Sequence, residues 1–219
     1  MKRFLVYLCA LAVIGGTFFS CTPTEEKIVN DMLSDEQIEI LEDLGMPLNS
    51  GDNPPDITGY YLTDDLDCIE DTTAWYPQNL YYYWNFYDQS GVEVKLDYYN
   101  LSGDEATAQG AFIFGEGSDF TVYMETEGEH SGSDITYTTV NIYTGTVTGS
   151  GIEDFTMGFI MTSKTGDDYD YLMPVDAARV YEEGDGLAEE LSSNPGFNVV
   201  AGSRVIEDAV KKSLGSMQE

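Results

Sequence analysis

From about residue 57 to residue 182 the apolar side chains recur at every second position, and Gly, Asn, Asp and Ser interrupt them at short intervals. A period of two is the repeat of a β-strand, whose successive side chains point to opposite faces; amphipathic helices repeat at 3.6. This stretch is therefore expected to be all-β. Its clearest unit is residues 80–88 and 92–100, joined around Gln89-Ser90-Gly91. On the first run Leu80, Tyr82, Trp84 and Phe86 share one face, and Tyr81, Tyr83, Asn85 and Tyr87 the other. On the second, Val92, Val94, Leu96 and Tyr98 oppose Glu93, Lys95, Asp97 and Tyr99. That is a hairpin with one buried and one wet face. Further strands are expected at 107–115, 118–127, 135–148, 152–164, near 169–173 and near 177–182, after a first one at 57–62. Short sequential connections favour an antiparallel meander, and eight or nine strands in a meander remove their unpaired edges by closing into a barrel. A two-sheet β-sandwich is the alternative, because periodicity does not separate closure from stacking.

The flanks differ. Ser34 with Gln37 makes a capping box, Leu33 and Ile38 a hydrophobic staple, and Ile38, Leu41 and Leu44 one helical face, stopped by Gly45 and Pro47. Residues 22–33 are expected as a polar tether. At the other end 187–192 suits a helical turn, and Ser203 caps a segment in which Val205, Ile206, Ala209, Val210 and Leu214 form an apolar stripe. At the N-terminus Lys2 and Arg3 precede the apolar run Phe4–Ile14, too short to span a bilayer. The organisation expected is a signal peptide at 1–20, a tether and short helix at 21–56, the β-barrel domain at 57–186 and a helical tail at 187–219.

Three resemblances sharpen these expectations. Phe18-Phe19-Ser20-Cys21, after the apolar run, resembles a bacterial lipobox. The resemblance implies that Cys21 is lipidated, and Thr22 in place of Asp implies an outer-membrane anchor. Gly59-Tyr60-Tyr61 resembles the Gly-x-Trp/Tyr opening of the first lipocalin strand. The segment Gly45–Leu62, with Thr146–Phe155 and Arg179–Gly186, looks like uncharacterised lipoproteins of Gram-negative gut anaerobes, many of them calycin-like barrels. That likeness implies a place and a fold, and carries no activity.

Composition then limits function. With 40 Asp+Glu against 9 Lys+Arg, a formal charge of −31, the chain lacks the clustered cations that sequence-independent nucleic-acid binding needs. A single His removes any multi-His metal site. Beyond the signal and the lipid cysteine only Cys68 remains, so no intrachain disulfide is expected. Acidic neighbours around Cys68 raise a thiol pKa, which argues for a packing role. His130, in Glu127-Gly-Glu-His-Ser-Gly-Ser133, has no nucleophile pattern beside it and suits a surface turn. The acidic runs Asp64–Asp71 and Asp167, Asp168, Asp170 have the oxygen ligands Ca²⁺ prefers but not the EF-hand glycine; solvated acidic loops are the plainer expectation. No catalytic signature is found. The aromatic cluster at 75–87 stands out, and its outward members Tyr81, Tyr83 and Tyr87 suit stacking on a sugar face or a protein partner, or covering a neighbouring segment. The function expected is a non-catalytic cell-envelope lipoprotein, tethered to the membrane by its anchor. It binds a small apolar or glycan ligand, or a protein partner. A structural or assembly accessory with a filled barrel is the alternative, and a carboxylate-dependent hydrolase a third.

Overall fold

The structure is a computed structural model, described here for residues 24–100, 105–130 and 134–197. The signal peptide, Cys21 and the 203–214 stripe lie outside the described residues. The elements are α1 (Glu25–Met32), α2 (Asp35–Asp43), β1 (Asp52–Asn53), β2 (Gly59–Asp71), β3 (Leu80–Ser90), β4 (Glu93–Asn100), β5 (Glu105–Glu116), β6 (Asp119–Glu129), β7 (Thr136–Val147), β8 (Gly151–Thr165), β9 (Ala178–Glu183) and β10 (Leu187–Leu191).

All ten strands belong to one mixed sheet. From β2 to β8 each strand pairs antiparallel with the next. Both β9 and β10 then pair with β8 on one side and β2 on the other, which closes a ring of eight strands. β9 and β10 divide one position of that ring: β9 lies along Leu66–Asp71 of β2, and β10 along Tyr60–Leu62. The expected all-β class holds, and Tyr82, Trp84, Phe86, Val94 and Leu96 of the hairpin face inward as expected. Its other face is not wet, because Asn85, Asp97 and Tyr99 are buried there, and Val92 packs on the outer side of the ring. The expectation of a purely antiparallel sheet does not hold, because β1 runs parallel to β5 at Asp52↔Gly115. The chain comes from α2 alongside β5, and Gly115 N–H donates to Gly51 O at 2.9 Å where both backbones lack a Cβ.

Four expectations are corrected. Residues 64–71 are strand, not an acidic loop: Leu66, Cys68 and Asp71 turn inward and β9 takes up the backbone hydrogen bonds, while Asp64, Asp65 and Glu70 face solvent. Residues 169–173 are not a strand. The Asp167 carboxylate accepts from the amides of Tyr171 (2.7 Å) and Leu172 (3.1 Å), and those bonds fold the segment into a loop. Residues 187–191 are strand β10, not a helical turn, so the sheet extends past residue 186. Gly186, at φ +79°, turns the chain, and Ala188 is then buried between β8 and β2; tertiary pairing overrides the helical propensity of Leu-Ala-Glu-Glu-Leu. The expected tether contains α1, which buries Ile28 and Val29.

Alternation produces two cores. The inner one fills the ring with Phe86, Leu96, Val122, Phe120, Phe155 and their neighbours. The outer one lies where α1 and α2 cover the ring: Leu33, Leu41 and Met46 sit on Phe114, Val140, Ile160 and Val180. The capping box of α2 forms as expected, with Gln37 N–H to Ser34 Oγ at 3.2 Å and Ser34 N–H to Gln37 Oε1 at 2.9 Å. Asn49 fastens the helical layer by donating its Nδ2 to Phe120 O (3.0 Å) and Thr144 Oγ1 (2.8 Å).

Candidate ligand-binding site

The ring interior is unequally filled. Trp84 is fully buried near its middle, and Phe86, Phe120 and Phe155 close the space on one side of it. On the other side a cavity of about 560 Å³ opens toward the loops at 72–79 and 166–177. Pockets for small molecules span roughly 300–1,000 Å³, so this one has the size of a binding site.

Each wall comes from a different pair of strands. β3 and β4 supply Tyr82, Trp84 and Tyr98. Tyr82 stacks on Trp84 at 5.0 Å and meets Tyr98 edge-on at 5.8 Å, so the aromatic wall is fixed by its own contacts. The Trp84 Nε1–H donates to Thr63 Oγ1 at 3.1 Å, which sets the indole plane. β8 and β9 supply Met157, Phe159, Met161 and Tyr181. β6 and β7 supply a polar stripe of Thr126, Thr139 and Asn141, in which Asn141 Nδ2 donates to Thr126 Oγ1 (3.2 Å) and Thr139 Oγ1 (3.5 Å). At the rim stand Trp75, 61 % exposed, and Tyr171, 65 % exposed.

Arg179 is the charged residue of the lining. Its Nε donates to the buried Asp71 carboxylate, and its guanidinium lies 4.3 Å from the centre of the Trp75 ring. Burial alone would raise the Asp71 pKa. The Thr73 hydroxyl and amide and the Arg179 guanidinium outweigh it and hold the carboxyl below its ordinary value. The pair thus carries no net charge into the cavity, and it holds the Trp75 loop at the rim.

The residues singled out from sequence lie mostly elsewhere. Tyr81 and Tyr83 touch each other outside the ring, hydroxyl to hydroxyl at 3.0 Å, and Tyr83 stacks on Tyr99 at 4.9 Å. Tyr99 in turn meets Phe197 and donates to Pro195 O, so this outer face is partly covered by the 194–197 segment. Tyr87 sits apart, under Lys95 and near Asp97. All three are half-buried rather than a contiguous exposed patch. Cys68 is buried, and burial pushes its thiol up to about 11, as a packing residue requires. His130 stacks beside Tyr171 at 6.0 Å. Asp167 receives Lys164 Nζ at 2.7 Å, with Asp170 3.7 Å from the same ammonium. No group of three or more His, Cys, Asp or Glu among the described residues is arranged to hold a metal ion. Sequence reading assigned Tyr82 and Trp84 to the inner face but gave no sign that they border a void. Trp75, Tyr171, Leu172 and Met173 reach the site from two loops, and the second loop is the segment expected from sequence as a strand near 169–173.

A second depression, on the outside of the β2–β10 seam, is lined by Asp64, Asp185, Glu189 and Glu190. Close by, Glu183 is buried, with Oε1 accepting from Asp65 N–H at 3.2 Å and Oε2 without a partner. Burial, aided by Asp64 and Asp185, pushes this carboxyl up to about 7. Its folded pKa exceeds the unfolded value, so its stabilising contribution is full below about pH 4.5 and is lost as the pH rises through 7. The variant Glu183→Gln should be close to the wild type in stability below pH 4.5 and more stable at pH 8, by on the order of 1 kcal/mol once solvent screening is allowed for; urea unfolding across that range checks it.

No family model matches the chain, and no curated protein and no solved structure matches it.

Proposed function

We propose that this chain is a non-catalytic binding protein of the cell envelope, an outer-membrane lipoprotein anchored through Cys21, whose calycin-like barrel takes a small molecule at one open end. The leader at 1–20 and the lipobox-like Phe18–Cys21 support the location. The closed ring of eight strands, with its inward alternation, supports the barrel. The observation that carries the function is the cavity of about 560 Å³ above Trp84, walled by aromatic and thioether side chains on two sides and by a polar stripe on the third. Aliphatic and aromatic walls with a few convergent polar groups are what small-molecule sites are made of. No Asp or Glu lines this cavity among the described residues, so a carboxylate-dependent hydrolase finds no support in it.

The test is binding of a neutral apolar dye, Nile red, to the purified protein. One dye per chain, with micromolar affinity and a blue-shifted emission, is expected. Thr126→Trp, which places a large side chain in the void, should abolish binding and leave the circular dichroism unchanged. An absence of binding, or binding indifferent to Thr126→Trp, contradicts the proposal.

A further inference from the structure

The walls of the cavity differ enough to say what kind of small molecule fits. We infer that the ligand is a neutral saccharide, seated with a ring face on the aromatic wall of Tyr98 and Tyr82, which Trp84 backs from beneath, and its hydroxyl edge toward Asn141, Thr139 and Thr126. This inference rests on the small-ligand reading above and adds the chemical class.

Three observations carry it. The first is depth. Trp84, Phe86, Phe120 and Phe155 are fully buried and close the ring below the cavity. An extended acyl chain needs a long apolar channel, and here the space ends on an indole. The second is the polar stripe. Asn141 and Thr139 are buried, and both Nδ2 contacts of Asn141 go to threonine hydroxyls. Those hydroxyls retain further hydrogen-bonding capacity, and the Asn141 amide stands beside them in the same wall. A purely apolar ligand would leave the remaining hydrogen-bonding capacity of this stripe unused and dry. A ligand with hydroxyls along one edge uses it. The third is charge. Arg179 is neutralised by Asp71, and the chain as a whole carries −31. An anion therefore meets a repulsive field with no uncompensated cation at its end. A cation meets a guanidinium already placed over Trp75, one of the two exposed rings at the rim. A neutral molecule with an apolar face and a hydroxylated edge is what remains, and a pyranose has that form: its axial C–H groups sit on an aromatic face while its hydroxyls point outward. Trp75 and Tyr171, flanking the mouth, offer further faces for a second sugar unit.

The experiment follows tryptophan emission and Nile red displacement. The probes are neutral di- and trisaccharides of glucose, galactose, mannose and N-acetylglucosamine, with dodecanoate and choline in parallel. At least one neutral saccharide should displace the dye, and dodecanoate and choline should not. Asn141→Leu should lose the saccharide response while still binding Nile red, which shows that the variant is folded. Trp75→Ala, at an exposed position, should weaken saccharide binding by about tenfold. Displacement by dodecanoate or choline with every saccharide silent overturns the inference and leaves the small-ligand reading standing. Nile red bound and none of the probes displacing it also overturns the inference. Failure of Nile red itself to bind removes the underlying reading instead.

Discussion

Replacing Trp84 with Ala should lower the stability of the protein by about 3–5 kcal/mol, the usual cost of truncating a fully buried aromatic side chain. The indole has no exposed surface and touches Tyr82, Tyr98, Tyr143 and Phe155, with ring centres 5.0–5.7 Å apart. Its loss also leaves the Thr63 hydroxyl buried without the donor it now accepts from. Urea unfolding checks this: the midpoint should fall while the slope stays unchanged. Trp75→Ala is the natural comparison, because an indole 61 % exposed should cost less than about 1 kcal/mol. A Trp84→Ala variant as stable as Trp75→Ala would mean that the ring is not packed around this residue.

The second large effect is expected at the seam of the ring. Gly151 opens β8 at φ +144°, and a Cβ there would lie 2.1 Å from Ala188 O and 2.9 Å from Glu190 N, both backbone atoms of β10. Neither can yield without breaking the pairing of β10 with β8, so Gly151→Ala should cost about 2–5 kcal/mol from backbone strain and overlap together. Gly149, two residues earlier, has open space where its Cβ would stand, and Gly149→Ala should fall within about 0.5 kcal/mol of the wild type. Amide exchange locates the damage. Protection should be lost first at residues 187–191 and at their partners in β2, while the β6–β7 pairing keeps its protection. Equal stability of the two variants would contradict closure through β10.

Much of this fold was legible because the chain keeps its period of two for long distances. The 80–88 and 92–100 runs and the Ser34–Gln37 capping box all lie where the sequence places them. What was not legible depends on partners far away in the chain. Leu187–Leu191 reads as helix by composition and becomes strand because β8 and β2 both offer it hydrogen bonds. Asp64–Asp71 reads as an acidic loop because its charges hide the alternation of Leu66 and Cys68 beneath them. The site shows the same division. That Tyr82 and Trp84 face inward follows from alternation, but whether the space before them is filled depends on side chains of β6 to β9 and on two loops. The aromatic residues chosen from sequence as a surface, Tyr81, Tyr83 and Tyr87, are instead half-covered by their own neighbours. Acidity has a plainer meaning than any of these: β2 carries Asp64, Asp65 and Glu70 on its solvent face, and the cavity lining carries no acid among the described residues.

The central claim, that the space above Trp84 receives a small molecule, is tested most directly by methyl NMR of methionine-labelled protein. Met157, Met161 and Met173 line the cavity, and Met46 lies outside the ring beneath α2. Titration with Nile red should shift the first three methyl signals, saturating at one equivalent, and leave that of Met46 in place. A titration that moves Met46 alone, or none of the four, would contradict the account.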